Sequence, residues 1–348
     1  MRTLASVDPR SSEHHLIHLI DSDALPERIR RVEFLRRTQA GAAIVVGPLE
    51  GECRCAGFGL RALGSVLPRT LGPVLADHQA HASAPPVVCS WSWDVARHVA
   101  ELGLEQLLVA SGPPSAPARQ QRVEGLHVLA PDQISAEAWK RCGAFSVQVV
   151  PPCGMADRAP IGDQSLPSST LRVGLFCDEV VTEEEALLML HRFGVVALTE
   201  KPILAHLKRH ASHIGSLMRY AQQVGIAHCF ELLEESSFPG EVDVAMVRVQ
   251  GAAESSEQVL DLAARGVVCI VYTSNPHPAE AGALGRNGFI ECSAGVTNAG
   301  SSQLLELLEN TALLESARSA ILRLGSARSL GEWASDFSLA AHAAFSRS

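Results

Sequence analysis

The sequence predicts an α/β protein with two Rossmann-like, doubly wound domains. Three observations favour this fold class. Short apolar runs alternate with helical stretches in the first half, as in parallel sheets covered by helices. The segment Pro151–Pro167 then interrupts the alternation, with many Pro and Gly residues and no periodicity. The alternation restarts at Leu171, and 348 residues exceed the usual size of one core.

Apolar, β-branched runs mark the strands of the first half, and the polar stretches between them have helical spacing. The candidate strands are His15–Asp21, Ala42–Pro48, Pro86–Trp91, Gln106–Ser111, Gly125–Ala130 and Ser146–Val150. The candidate helices are Pro26–Arg37, Trp93–Leu102 and Ser135–Arg141. Each strand is short enough to be a fully buried strand of a parallel sheet.

The second half has the same pattern. Its candidate strands are Leu171–Cys177, Gly194–Leu198, His228–Leu233, Val242–Val249, Val267–Tyr272 and Gly288–Cys292, and its candidate helices are Thr182–Phe193, Ser212–Val224 and Glu254–Arg265. From Ser301 onward the chain is predicted to be helical. Apolar residues recur there at helical spacing (Leu330, Trp333, Phe337, Ala341 and Phe345), so the last helix must bury one face.

Composition narrows the possible partners and location. The chain is 47% hydrophobic and 19% charged, which is ordinary for a globular protein, and its net charge is −9. This acidic balance argues against a nucleic-acid partner. No run reaches the roughly 20 apolar residues of a membrane helix, and the first residues lack the apolar core of a signal peptide. We therefore expect a cytoplasmic protein without an integral membrane segment.

The nine cysteines are scattered and lie mostly inside apolar runs. Buried free thiols behave as small hydrophobic groups, so this usage fits a reducing compartment. Only Cys53 and Cys55 form a close pair, and no second pair supports a metal or redox site.

The stretch from Val242 to Ile290 indicates a ligand site. A buried strand leads through a Gly-Ala-Ala turn into an acidic helix start, and a second apolar strand follows. Carboxyl ends of parallel strands and amino ends of the following helices share one edge of the sheet, where ligands bind. Helix amino ends there attract phosphates, so we expect a nucleotide or a phosphorylated ligand.

The chain resembles the retaining, nucleotide-sugar-dependent glycosyltransferases of group 1, which have the two-domain GT-B fold. The segment Val147–Asp157, VQVVPPCGMAD, resembles the family's inter-domain motif. VDVAMVRV from Val242 and VLDLAARGVVCIV from Val259 resemble its donor-side strand and helix. The resemblance covers nearly the whole chain in order. It implies an acceptor-side domain over residues 1–152, a linker over 153–168, a donor-side domain over 169–326 and a helix over 327–348 that returns to the first domain.

The chain departs from the family pattern at the positions that are expected to contact the donor phosphates. The family's first loop is glycine-rich, whereas Ser22–Pro26 contains no glycine. The family places Arg and Lys after the first strand of the second domain, where they neutralise the diphosphate leaving group. Asp178 and Glu183 stand at those positions here, so both are cleft candidates of the wrong charge.

Of the family's two donor-side glutamates, the second has an acidic counterpart at the same position and the first does not. Asp261 stands where the second one contacts the nucleotide ribose, and Ala253 stands where the first contacts the sugar, with Glu254 one residue later. The resemblance implies that Asp261 and Glu254 bind the donor. The alternative is that these carboxylates only favour the start of a helix.

Other single residues have two interpretations each. Gly154 either approaches a ligand closely or only turns the chain, and Lys201 either replaces a lost phosphate-binding cation or is an ordinary surface lysine. His98 is a cleft candidate because some family members have a histidine at the edge of the first domain. Trp91 and Trp93 either stack on a sugar or fill a gap at the domain edge.

A metal site is not predicted. His206, His210 and His213 have the spacing of one helix face, but no HExxH pattern or carboxylate partner accompanies them. The family uses protein cations instead of a bound metal, so the resemblance implies no metal and no cofactor.

The resemblance implies transfer of a hexose from a nucleotide sugar, with retention, to a sugar or glycan acceptor that the sequence does not identify. The alternative is a catalytically inactive GT-B protein that acts as a binding or assembly partner. The lost cations and the acidic run from Glu183 to Glu185 favour that alternative. A sugar-nucleotide epimerase is a third class, but its site residues are absent from the pattern.

Overall fold

The computed structural model divides the chain into two compact units. The first comprises Met1–Pro152 and Leu330–Ser348, and the second comprises Cys153–Ser329. The structure describes residues 15–21, 26–38, 41–46, 61–63, 72–73, 75–76, 86–115, 118–119, 125–155, 170–176, 181–199, 201–208, 213–233, 242–249, 252–253, 256–274 and 288–345.

The first unit is built on a parallel sheet. Its strands are β1 (His15–Asp21), β2 (Gly41–Val46), β3 (Arg61–Leu63), β4 (Pro86–Ser90), β5 (Gln106–Val109), β6 (Leu126–Ala130) and β7 (Ser146–Val149). They are ordered β3-β2-β1-β4-β5-β6-β7, and each pairing is parallel. The helices between them are α1 (Pro26–Thr38), α2 (Trp93–Glu101) and α3 (Gln133–Arg141).

The second unit repeats this plan. Its strands are β8 (Leu171–Phe176), β9 (Ile203–Lys208), β10 (Phe230–Leu233), β11 (Val244–Arg248), β12 (Val268–Thr273) and β13 (Ile290–Ser293), in the order β10-β9-β8-β11-β12-β13. All of these pairings are parallel as well. The helices are α4 (Glu183–Ala197), α5 (Ile214–Gln223), α6 (Glu257–Ala263), α7 (Ser301–Glu309) and α8 (Thr311–Gly325).

The last helix, α9 (Leu330–Phe345), belongs to the first unit, where it packs on β6 and β7. Trp333, Phe337 and Ala341 are buried, as the helical spacing predicted. The Phe337 ring lies parallel to that of Trp91, with centroids 6.1 Å apart, and the Trp91 indole N–H donates to His18 Nδ1 at 3.2 Å.

The strand order places a topological switch point in each sheet. In the second sheet the chain runs outward from β8 through β9 to β10, then returns to β11 and continues outward on the other side. Doubly wound sheets bind ligands in the crevice that forms outside the carboxyl ends of the two strands at such a point. In the second unit this position lies beyond the ends of β8 and β11.

The predicted fold class is confirmed, with corrections to individual elements. Gly194–Leu198 is not a strand, because α4 continues to Ala197 and its apolar run packs as a buried helix face. β9 (Ile203–Lys208) was missed, since the spacing of His206, His210 and His213 was interpreted as that of a helix face. The candidate helix Glu254–Arg265 is shorter in the structure, Glu257–Ala263, with Ser256 as its N-cap.

Within the described residues, no helix combines the length and the apolar content needed to cross a membrane.

Candidate functional site

An ion pair lies at the switch point of the second sheet. Arg248 is the last residue of β11, and Glu185 lies in the first turn of α4, the helix that follows β8 in the chain. The Arg248 Nε donates to Glu185 Oε1 at 2.9 Å. The pair therefore joins the two elements that border the position where doubly wound sheets bind their ligands.

Glu185 is held in place by the start of its own helix. Thr182 is the N-cap of α4 and forms a capping box with Glu185, in which the Thr182 backbone N–H donates to Glu185 Oε2 at 3.1 Å. Burial by itself would raise the pKa of Glu185, but hydrogen bonds from Thr182 and Arg248 outweigh it and hold that pKa below its usual value. Glu185 is therefore a carboxylate at neutral pH.

The remaining donors of Arg248 are directed at neutral acceptors. Its Nη1 donates to the carbonyls of Val249 and Tyr272, and its Nη2 donates to Ser274 Oγ at 2.9 Å. The side chain is 13% exposed, which leaves the guanidinium at the edge of the sheet instead of in the core. Sequence reasoning missed Arg248, although a single cation at the end of an otherwise apolar strand is a signal that could have identified it.

A second arginine near this edge serves a different purpose. Arg192 is buried in α4, with its guanidinium carbon 4.1 Å from the centroid of the Tyr272 ring. It donates to the carbonyls of Ser293, Ala294, Val296 and Thr297, so it fixes the segment that follows β13. Its Nε and Nη2 donate to backbone carbonyls, and its side chain is buried.

One of the two acidic cleft candidates, Glu183, falls at the same edge. Glu183 is the first residue of α4, and its side chain is exposed. Asp178 lies outside the described residues. The acids Glu183, Glu184 and Glu185 all occupy the first turn of α4, where carboxylates stabilise the helix dipole.

The structure brings Gly154 and Asp261 together at the start of the second unit. Asp261 is buried in α6, and its Oδ1 accepts from the Met155 backbone N–H at 2.8 Å. A Cβ on Gly154 would lie 2.7 Å from the Leu260 carbonyl oxygen and 2.6 Å from that of Gly325. Both residues thus hold the segment from Cys153 to Met155 against α6 and α8. Glu254 lies outside the described residues.

Lys201 and His98 lie away from the carboxyl edges of their sheets. Lys201 precedes β9 by two residues, and its Nζ pairs with Glu309 Oε1 at 2.9 Å on the exposed surface. A six-residue strand spans about 20 Å, so Lys201 is separated from the Arg248 edge by roughly that distance. His98 is in the last turn of α2, at the end of the helix opposite to the carboxyl end of β4.

The aromatic candidates of the first unit are part of its interior. Trp91 is 1% exposed and packs against Phe337 of α9. Trp93 packs on Trp139 with ring centroids 5.8 Å apart. Of the two interpretations of Trp91, the structure favours the one in which it fills space inside the domain.

The three histidines do not share a helix face. His206 is buried in β9 with its Nε2 3.4 Å from Glu231 Oε2, His213 precedes α5, and His210 lies outside the described residues. In the portion of the chain that the structure describes, no group of three or more His, Cys, Asp or Glu side chains is arranged to hold a metal ion.

Solved structures with the same architecture match nearly the whole chain. A glycosyltransferase from Rickettsia africae matches 96% of this chain and 99% of its own, with a TM-score of 0.65 and 10% identity. Sucrose-phosphate synthase from Thermosynechococcus elongatus matches 96% and 100%, with a TM-score of 0.66 and 11% identity. Anabaena HepE in complex with UDP and glucose matches 93% and 98%, with a TM-score of 0.66 and 12% identity.

No protein-family model matches the sequence, and no curated protein sequence matches it significantly. The structural matches establish that the chain has the GT-B fold of the glycosyltransferases.

Proposed function

We propose that this protein binds a nucleotide-sugar donor in its second unit and transfers the hexose, with retention, to a sugar or glycan acceptor. The observation that carries the proposal is the GT-B fold over nearly the entire chain, shared with a protein solved in complex with UDP-glucose. A further support is Arg248, which offers a cation at the switch point where such sheets bind phosphates.

The donor-contacting residues in this proposal are Asp261 and Glu254, with Gly154 beside Asp261. Asp261 accepts a hydrogen bond from the Met155 N–H with its Oδ1, and the proposal assigns the same carboxylate to a ribose hydroxyl. Lys201 and His98 remain predictions from the sequence, and their positions away from the carboxyl edges do not support them. No metal or cofactor has a part in the proposal.

The second candidate function is a catalytically inactive GT-B protein that serves as a binding or assembly partner. The observation that favours it is the acidic first turn of α4, which begins at Glu183. By the sequence resemblance, Glu183 stands at a position of a family cation. Departure of a diphosphate next to these carboxylates lacks the usual electrostatic stabilisation, and the loss of one such partner costs about 10²–10³ in rate.

One experiment separates the two candidates. The purified protein is incubated with UDP-, GDP- and ADP-hexoses and a mixture of mono- and oligosaccharide acceptors, and products are identified by mass spectrometry. A transferase gives a glycosylated product, and the configuration at its anomeric carbon, measured by NMR, tests retention. Absence of any product, with or without donor binding measured by calorimetry, supports the inactive protein and contradicts the transferase.

The predicted cytoplasmic location is part of this proposal. Six cysteines within the described residues are free thiols, five of them buried, and such usage is typical of a reducing compartment.

A further inference from the structure

The small stability that an ion pair provides does not explain why Arg248 and Glu185 meet at this position of the fold. Both ends are polar and lie at the carboxyl edge of the second sheet, Arg248 13% exposed and Glu185 33% exposed. Partly exposed ion pairs contribute little to stability. A pair that spans the switch point is nonetheless placed where a ligand's anionic group would enter.

The chemistry of the pair matches that of an anion site. A guanidinium has a planar fork of donors that fits carboxylate and phosphate oxygens equally well, so Glu185 and a phosphate compete for the same face. Two of the three Arg248 nitrogens, Nη1 and Nη2, are positioned by Val249, Tyr272 and Ser274, which hold the guanidinium in place when the carboxylate leaves.

We propose that Arg248 is the phosphate-binding cation of this unit and that Glu185 is its internal counter-ion, which a diphosphate must displace. The inference rests on the proposed function, because the diphosphate of a nucleotide sugar is the ligand concerned. Glu185 keeps its capping-box bonds to Thr182 after displacement, so α4 stays capped while Arg248 changes partner.

Such a site binds diphosphate more weakly than an unpaired arginine would. Part of the attraction between Arg248 and the incoming phosphate replaces the attraction already made to Glu185, and the displaced carboxylate repels the ligand.

The test compares Glu185→Gln and Arg248→Gln with the unchanged protein, using isothermal titration with inorganic pyrophosphate and, separately, with UDP, GDP and ADP. Gln is also a capping-box residue at this position, so E185Q removes the charge and retains the helix cap. We expect E185Q to bind pyrophosphate about tenfold more tightly. We expect R248Q to bind it at least about tenfold more weakly, as for a lost hydrogen bond to a charged group.

Matched controls remove the same charges nearby. Glu184→Gln takes one negative charge from the same turn, and Arg219→Gln takes one positive charge from exposed α5. Both should leave the pyrophosphate affinity within about threefold of the unchanged protein. Arg248→Lys keeps the charge without the fork and should bind with intermediate affinity. If R248Q does not fold, the pyrophosphate affinity of R248K tests whether the Arg248 guanidinium binds phosphate.

The outcomes separate this inference from the proposed function. Nucleotides that bind equally to the unchanged protein and to the Arg248 variants overturn the inference and leave the proposed function standing. Pyrophosphate affinities in the expected order, without binding of any nucleotide, support the anion site and count against the proposed function. An E185Q protein that gains no affinity for pyrophosphate or nucleotides shows that the pair is only structural.

Discussion

Gly154 shows how a single position can be constrained by backbone rather than by a ligand. A Cβ there would lie within 2.7 Å of two carbonyl oxygens, those of Leu260 and Gly325, and backbone oxygens cannot rotate away. Gly325 is equally confined, since its Cβ would lie 2.2 Å from Ala264 N. The two glycines therefore allow the segment before Met155 to approach α6 and α8 closely.

Gly154→Ala should destabilise the second unit by about 1–3 kcal/mol, because overpacking displaces backbone. Hydrogen exchange of the β12 amides measures the effect, since β12 is buried along its whole length. Gly215→Ala is the control: nothing lies within 4 Å of its Cβ, and in helix α5 it should stabilise by up to about 1 kcal/mol. Equal protection in G154A and unchanged protein would contradict this account.

Asp261 has a structural role that can be separated from donor binding. Asp261→Ala leaves the buried Met155 N–H without its acceptor and should cost about 1–3 kcal/mol of unfolding free energy, whereas Asp261→Asn retains an acceptor oxygen and should cost less. If the carboxylate also binds ribose, D261A lowers nucleotide affinity by about 10–150-fold. Lower stability with unchanged affinity would assign Asp261 to the fold alone.

At the scale of elements, α9 completes the core of the first unit. All four tryptophans, Trp91, Trp93, Trp139 and Trp333, belong to that unit, so tryptophan fluorescence follows its unfolding. The Phe337 ring contacts Trp91, Trp333 and His18, each with centroids about 6 Å away.

Phe337→Ala should lower the unfolding free energy of the first unit by about 3–5 kcal/mol, because a buried aromatic ring leaves a cavity. Urea denaturation followed by tryptophan fluorescence measures the change. Leu339→Ala, on the exposed face of the same helix, should change it by less than about 0.5 kcal/mol. A similar response in both variants would mean that α9 is not packed as described.

His127 makes the contact between β6 and α9 sensitive to pH. Its ring lies 4.5 Å from that of Phe345 between centroids, and burial lowers its pKa from the usual value despite an opposing effect of Glu105. The unfolded chain therefore takes up a proton more readily, so the first unit loses stability as the pH falls below about 6.5.

His127→Asn should flatten this dependence. Between pH 7 and pH 5 the unfolding temperature, followed by tryptophan fluorescence, should fall less in H127N than in the unchanged protein. His228→Asn, which removes an exposed histidine of the second unit, should leave the slope as it is. A steeper fall in H127N would mean that His127 binds its proton more tightly in the folded state than in the unfolded chain.

For the whole molecule, the proposed function predicts stabilisation by donor nucleotides. A ligand at 100 times its dissociation constant adds about 2.7 kcal/mol to the stability of the form that binds it. A rise in the unfolding temperature of the second unit with UDP, GDP or ADP, measured by calorimetry at low salt, is the expected result. The matching nucleoside, which lacks phosphate, is the control, and no shift with any diphosphate would count against the proposed function.

The plan of the two units could be predicted from the sequence, because buried parallel strands leave apolar runs that stand out from amphipathic helices. The prediction of a strand over Gly194–Leu198 was wrong because a short apolar run in a buried helix has the same composition as a strand. The site was predicted only in part. Arg248 meets Glu185 across 63 positions of the chain, and Asp261 meets Met155 across 106, so neither contact leaves a local pattern.

Because the last helix packs on the first unit, the core of that unit can close only late in synthesis. The surface formed by His18 and Trp91 is covered by Phe337, which the ribosome adds about 250 residues after Trp91. At about 5–20 residues per second, that interval is roughly 12–50 seconds. The second unit, whose chain is continuous from Cys153 to Ser329, is complete before the first can close its core. During that interval the apolar face of the amino-terminal unit is therefore expected to be open to chaperones and to aggregation.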